Sequence, residues 1–291
     1  MTTERLELSD GPGHSRIEYR RDGPFDHGKA VLVLHGGHMS AGTSLGEAVF
    51  RTLGYGMIAP SRPGYGRTPL TAGPSPSRFA DTLAAFLAEQ SIDQVALAGI
   101  SAGGRTALAL AEHHPHLVSH FILISAVSNE PWPDRRTRAA AAIGFNRWTE
   151  HLTWAAMHQL ARRRPRAALR LLMRDLSDLA TPEVIDNMSL AQRQAAAELI
   201  QTLRSSRGFL NDLHPPAPGD PTRIQAPTLI VHSSHDAAVP LVHPTTLAAQ
   251  IPAAQTLISP AESHLVWFSN HYEQIEDAIT AFLTDLTNTT R

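Results

Sequence analysis

The sequence contains no cysteine, so a disulfide framework, a thiolate metal site and a cysteine nucleophile are all excluded. Charge is also scarce: 18% of residues are charged and the formal net charge is -2, a balance without the basic excess of a nucleic-acid-binding surface. No apolar run approaches the roughly 18 residues that a membrane span needs. The first residues, Met1 to Glu7, are polar and acidic and lack the apolar core of a signal peptide. A cytoplasmic protein without a membrane span is therefore expected. Internal repeats and extended low-complexity tracts are missing as well. What remains is a chain of 291 residues, 42% hydrophobic, long enough for one large domain or a domain carrying an insertion.

Two alternating segments, Arg5 to Leu8 and Arg16 to Arg20, flank Asp10-Gly11-Pro12-Gly13 and predict an opening antiparallel hairpin. Beyond it the pattern changes to short apolar runs: Val31 to Leu34, Met57 to Ala59, Val95 to Ala98, Phe121 to Ile124, Thr228 to Val231 and Thr256 to Ile258. Such runs suit strands buried on both faces. Helical patterns separate most of them, at Thr43 to Leu53, Phe79 to Gln90, Gly104 to His113 and His271 to Leu286. Strands alternating with helices imply an α/β fold with a mostly parallel, doubly wound sheet.

The alternation breaks between Ile124 and Thr228, where helical patterns at Thr137 to His151, Thr153 to Arg162, Pro165 to Leu176 and Ser189 to Arg204 follow one another without a strand. Pro131-Trp132-Pro133 marks the entry to this stretch and Pro215 to Pro221 the exit. The expected organisation is a core of residues 1–129 and 216–291 interrupted by a helical cap of residues 130–215.

In an open α/β sheet, ligands bind at the carboxyl ends of the strands, so the loops after the apolar runs carry the chemistry. Gly99-Ile100-Ser101-Ala102-Gly103 lies between a strand and a helix, which places Ser101 on a sharp turn where side chains at Gly99 and Gly103 would collide. This pentad is weak evidence alone. The other loops strengthen it: His35-Gly36-Gly37-His38 after the first run, Ser61-Arg62-Pro63-Gly64-Tyr65-Gly66 after the second, His232-Ser233-Ser234-His235-Asp236 after the fifth and Glu262-Ser263-His264 after the last.

On these residues the chain resembles the α/β-hydrolase superfamily, in particular its capped esterase-like and carbon-carbon-bond-hydrolase-like members. The matching positions are His35-Gly36-Gly37, Arg62-Pro63-Gly64-Tyr65-Gly66, Gly99-x-Ser101-x-Gly103, Asp236 with Val239-Pro240, and His264, in the superfamily's order of nucleophile, acid and histidine. Ser61 departs from the usual Asp, and Ser233 from a common glycine. The resemblance implies a serine hydrolase in which Ser101 attacks a carboxylic ester or related acyl bond, His264 moves the proton and Asp236 orients the imidazole. The oxyanion would be met by the backbone N-H groups of Gly37 and Ala102, with His38 a second candidate for the upstream donor. Glu130, after the run ending at Ile124, is the rival acid, because some members of the superfamily carry the acid there.

No cofactor and no metal are expected. His232-x-x-His235-Asp236 has the look of a ligand cluster, but side chains alternate direction at a strand end. The expected substrate is a small molecule with an apolar acyl or ring portion, sorted by a cap offering Trp132, Phe145, Trp148, Trp154, Met157 and Phe209. A homodimer is compatible with this reading. Arg162, Arg163, Arg164, Arg166, Arg170 and Arg174 read first as a solvated helix face and second as a dock for an anionic partner. Carbon-carbon hydrolysis, lactone or thioester hydrolysis and cofactor-free peroxidase chemistry use the same machinery. Ser101 argues against epoxide and haloalkane hydrolysis, which require Asp there. A non-catalytic binding protein on this fold is the alternative of another class.

Overall fold

The computed structural model describes residues 6–11, 15–25, 29–146, 148–214 and 219–285. Arg5, Pro12 and Gly13, Pro215 to Pro218 and Leu286 lie outside them. Eight strands, β1 (Leu6–Gly11), β2 (Ser15–Asp22), β3 (Ala30–Leu34), β4 (Gly56–Pro60), β5 (Val95–Ile100), β6 (Val118–Ile124), β7 (Thr228–Ser233) and β8 (Ala254–Ser259), form one sheet in the order β1-β2-β4-β3-β5-β6-β7-β8. The β1-β2 hairpin is antiparallel and β2 joins β4 antiparallel; every pairing from β4 to β8 is parallel. This is the α/β, mostly parallel sheet with an N-terminal hairpin that the sequence predicts.

Every residue of β3, β4 and β5 is buried, and their alternation divides the core into two layers. Leu32 and Leu34 of β3 face a cluster with Phe79, Leu83, Phe86 and Leu110, whereas Val31 and Val33 face Phe50, Ile275, Ile279 and Phe282. The first cluster covers α2 (Pro76–Glu89) and α3 (Gly104–His113); the second covers α1 (Ala48–Thr52) and the last helix, Tyr272–Asp285. One strand differs from expectation. β8 is the last strand of the sheet, where Gln255 and Thr256 are exposed and Ile258 is 45% exposed.

The helix expected from Thr43 shrinks to α1. Gly46, at φ +69°, turns the chain there, and any side chain would enter the Trp267 indole. α2 starts earlier than expected, with Pro76 in its first turn and the Ser75 side chain accepting from the Arg78 N-H.

Between β6 and β7 the chain forms α4 (Arg135–Gly144), α5 (Glu150–Arg163), α6 (Pro165–Met173), α7 (Thr181–Asn187), α8 (Leu190–Thr202) and α9 (Gly208–Asp212). The first expected helix of this stretch is broken because the Asn146 side chain accepts from the N-H groups of Trp148 and Thr149, starting a new turn. Ser189 caps α8 through a reciprocal bond with Gln192. After β7 come α10 (Val242–Gln250) and α11 (Tyr272–Asp285). Among the described residues no helix is long and apolar enough to cross a membrane.

Candidate active site

β5 ends at Ile100 and α3 begins at Gly104, leaving Ser101 in the turn with a left-handed backbone at φ +50°. The two flanking glycines are required by contact. A Cβ on Gly103 would stand 2.3 Å from the Leu34 carbonyl oxygen, and one on Gly99 would stand 2.7 Å from Ala107 Cβ. The strained serine is thus held by its surroundings, and its hydroxyl faces the ends of β7 and β8.

Those two ends supply an imidazole and a carboxylate. His264 Nε2 lies 3.0 Å from Ser101 Oγ, and His264 Nδ1 lies 2.7 Å from Asp236 Oδ2. All three residues are buried. Asp236 Oδ1 accepts from the Val239 N-H at 2.7 Å, so neither carboxylate oxygen is idle. Glu130 stands elsewhere, accepting from the Thr246 hydroxyl at 3.1 Å. Ser233 ties the two loops together by donating to the Ala261 carbonyl and accepting from the His235 N-H. The inserted helices reach the same place: the Leu176 carbonyl accepts from the His264 N-H at 2.8 Å, and Ser177 pairs with Asp236 as an isolated bridge.

The turn after β3 approaches Ser101 from the other side. A Cβ on Gly36 would be 3.0 Å from Ser101 Cβ, and one on Gly37 would be 3.1 Å from the Phe209 ring. His35 Nε2 accepts from the Arg62 N-H and Nδ1 donates to the Gly36 carbonyl at 2.8 Å, which fixes one neutral tautomer. Burial and the Arg62 charge hold the His35 pKa well below its ordinary value. Arg62 donates to the His35 carbonyl and, through both Nη atoms at 2.7 Å, to the Asp212 carboxylate. Burial works against that guanidinium, and Asp212 more than offsets it, raising its pKa. Tyr65 donates to the same carboxylate at 2.6 Å. Ser61, the departure noted in the sequence, bridges Glu18 and the Ala41 N-H inside this turn.

The chain matches the alpha/beta hydrolase fold family over residues 29–270. It belongs to the alpha/beta hydrolase family. It is 30% identical over 261 residues to an uncharacterized hydrolase, YcgS, of Bacillus subtilis strain 168, covering 88% of this chain and 92% of that one. It is 27% identical over 236 residues to a pimeloyl-[acyl-carrier protein] methyl ester esterase of Aromatoleum aromaticum, covering 77% and 86%. Among solved structures, an alpha/beta hydrolase fold protein from Nakamurella multipartita superposes with a TM-score of 0.83 at 21% identity, over 96% of this chain and 99% of that one.

In this alpha/beta hydrolase the inserted helices wall the site. The rings of Phe209, Phe145 and Trp154 lie 3.8, 4.7 and 5.3 Å from that of His38. Ser205 Oγ joins them, bonded to His38 Nδ1 and to Trp154 Nε1 at 2.7 Å each. Burial lowers the His38 pKa to about 3, so the ring is neutral. Trp132 is buried in a cluster with Ala102, Val127 and Phe209, Met157 packs on the larger core, and Trp148 is 72% exposed.

Arg105 was not singled out by its motif, yet it holds the base of the insertion. From α3 it donates to the carbonyls of Ser128 and Glu130 at the entry and of Asp212 and His214 at the exit. Burial lowers its pKa to about 10. The readable signal is a charged residue inside a helix whose other positions are almost all buried. Of the apparent ligand cluster, His235 turns away to Asp178, whereas His232 bonds the Val239 carbonyl and lies 3.5 Å from the Asp236 carboxylate that bonds His264. All six arginines of the α5 and α6 region are exposed, with Arg166 paired to Asp186 and Arg174 to Asp175.

Proposed function

We propose that this hydrolase cleaves a carboxylic ester or related acyl bond through an acyl-enzyme on Ser101. The observation that carries the reading is the unbroken path from the Ser101 hydroxyl through His264 to Asp236, at 3.0 and 2.7 Å. His264 takes the serine proton as Oγ attacks the carbonyl carbon, then returns it to the leaving group. Asp236 holds the Nδ1 proton and stabilises the imidazolium. The N-H groups of Gly37 and Ala102 receive the oxyanion; Ala102 opens a helix, where the first N-H groups have no partner within the helix and the dipole favours negative charge. Water activated by the same histidine releases the acid.

Residues 130–215 act as the cap. Their apolar wall of Phe145, Trp154 and Phe209 supports a small neutral substrate with an apolar acyl or ring portion, in a site without a cofactor or metal. The methyl ester esterase among the relatives supports the ester side of this reading. The reading includes a cytoplasmic location and allows a homodimer.

A fluorophosphonate probe tests it. Wild type is expected to label at one serine and Ser101→Ala to remain unlabelled, with p-nitrophenyl esters turned over by the wild type alone. Folded wild-type protein that neither labels nor turns over any ester, lactone or thioester would instead be a binding protein.

A further inference from the structure

Two buried arginines meet the half-buried Asp212 at the seam between α9 and the core, Arg62 on its carboxylate and Arg105 on its backbone carbonyl. Asp212 Oδ1 accepts from Arg62 Nη1 at 2.7 Å, and Oδ2 accepts from Arg62 Nη2 at 2.7 Å and from the Tyr65 hydroxyl at 2.6 Å. Arg105 meets the backbone of the same residue, donating to its carbonyl at 3.1 Å. Arg62, Arg105 and Asp212 border a cavity of about 80 Å³ beside Ala102. Close packing therefore does not fix Arg62 on that side; its hydrogen bonds do.

What Arg62 holds is the peptide that follows β3. Its Nη2 donates to the Gly36 carbonyl at 3.2 Å and its Nε to the His35 carbonyl at 2.8 Å; His35 Nδ1 adds a second donor to the Gly36 oxygen at 2.8 Å. The Gly36 carbonyl and the Gly37 N-H belong to one planar trans peptide and point in opposite directions. Two donors on the oxygen therefore set the direction of the N-H. Glycines on both sides of that peptide leave it few steric restraints of its own.

We infer that Asp212 is a positioning residue: by holding Arg62 on the Gly36 carbonyl, this carboxylate from the inserted segment aims the Gly37 N-H at the oxyanion. The inference rests on the reading of Gly37 as an oxyanion donor. It also makes α9 a fixed part of the core, since Gly208 lies against the Tyr65 ring and donates its N-H to the Gly64 carbonyl at 3.0 Å. An amide at position 212 would offer one acceptor oxygen where two are used and would turn an NH2 toward a guanidinium or a hydroxyl proton.

The test is Asp212→Asn, with Asp212→Glu as the charge-preserving control. Steady-state kinetics on a p-nitrophenyl ester and hydrogen-deuterium exchange over residues 34–40 would be measured at a temperature where thermal unfolding shows each variant folded. Asp212→Asn is expected to lower kcat by about 10- to 100-fold, short of or equal to losing a donor outright, with KM within about threefold of wild type. Exchange at the Gly36-Gly37 amides is expected to accelerate, and Asp212→Glu to recover most of kcat. Unchanged exchange in a folded Asp212→Asn protein overturns the inference. So does faster exchange with unchanged kcat, or a rise confined to KM. Fluorophosphonate labelling of the wild type decides the catalytic reading separately, and the exchange measurement reports on Asp212 whichever way that falls.

Discussion

Asp236 Oδ2 lies 2.7 Å from His264 Nδ1 and 3.5 Å from His232 Nε2, so a single carboxylate oxygen faces two imidazoles. Only one of them continues to Ser101. His232 is anchored on the Val239 carbonyl, and burial lowers its pKa; it therefore stays neutral beside a carboxylate whose other oxygen the Val239 N-H holds. The loop carrying the acid is built to keep that oxygen pointed at His264.

Asp236→Asn is accordingly expected to lower kcat by about 10⁴-fold, since the amide stabilises the wrong tautomer of its histidine. Glu130→Gln, which loses only a contact to Thr246, is expected to stay within about threefold of wild type. Ester turnover by the two purified variants checks both; equal losses would reassign the acid.

Gly103→Ala drives a methyl group to 2.3 Å from the Leu34 carbonyl oxygen and 2.5 Å from that of His35. Both oxygens lie at the end of β3, which cannot yield without moving away from β5. A destabilisation of about 3 kcal/mol or more is expected, together with loss of fluorophosphonate labelling. Urea unfolding and gel-based labelling measure the two effects.

Arg105→Met removes the donor from four carbonyls, those of Ser128, Glu130, Asp212 and His214. Only the Ser128 bond is fully buried, the other three being half-buried; a buried carbonyl left without a partner costs about 1–3 kcal/mol, so a loss of about 1–3 kcal/mol is expected. Lysine, a point charge without the fork, is expected to restore only part of it. Urea midpoints of the two variants give the comparison.

Stability should fall on the acid side. His243 accepts from the Ser128 N-H and bonds its hydroxyl, and burial, with the Arg105 charge behind it, lowers its pKa from 6.5 to about 4. The unfolded chain takes up the proton near pH 6.5 while the fold refuses it. The histidine's contribution is thus complete above about pH 6.5 and is lost as pH falls toward 4, at up to about 1.4 kcal/mol per pH unit. Unfolding free energies at pH 7, 6 and 5 are expected to decline, and His243→Asn to flatten that decline whatever its cost at pH 7. Parallel slopes for the two proteins would remove His243 from the account.

Much of this molecule can be read in its chain because the evidence is local. Strand and helix patterns follow from which side chains must leave water, and the turn around Ser101 follows from glycines at 99 and 103 that no other residue could replace without a clash. The order Ser101, Asp236, His264 is likewise a linear property. Helix limits were less legible where one side chain decided them, as with Asn146 between α4 and α5 or Gly46 against Trp267.

Tertiary structure alone decided which carboxylate faces His264, since that choice depends on where β6, β7 and β8 end in space. It alone brought Asp212 across 150 positions to Arg62 and Ser205 across 167 to His38. Hydrogen bonds between side chains so far apart leave no periodicity or spacing in the chain; they exist only once burial has removed water as the competing partner.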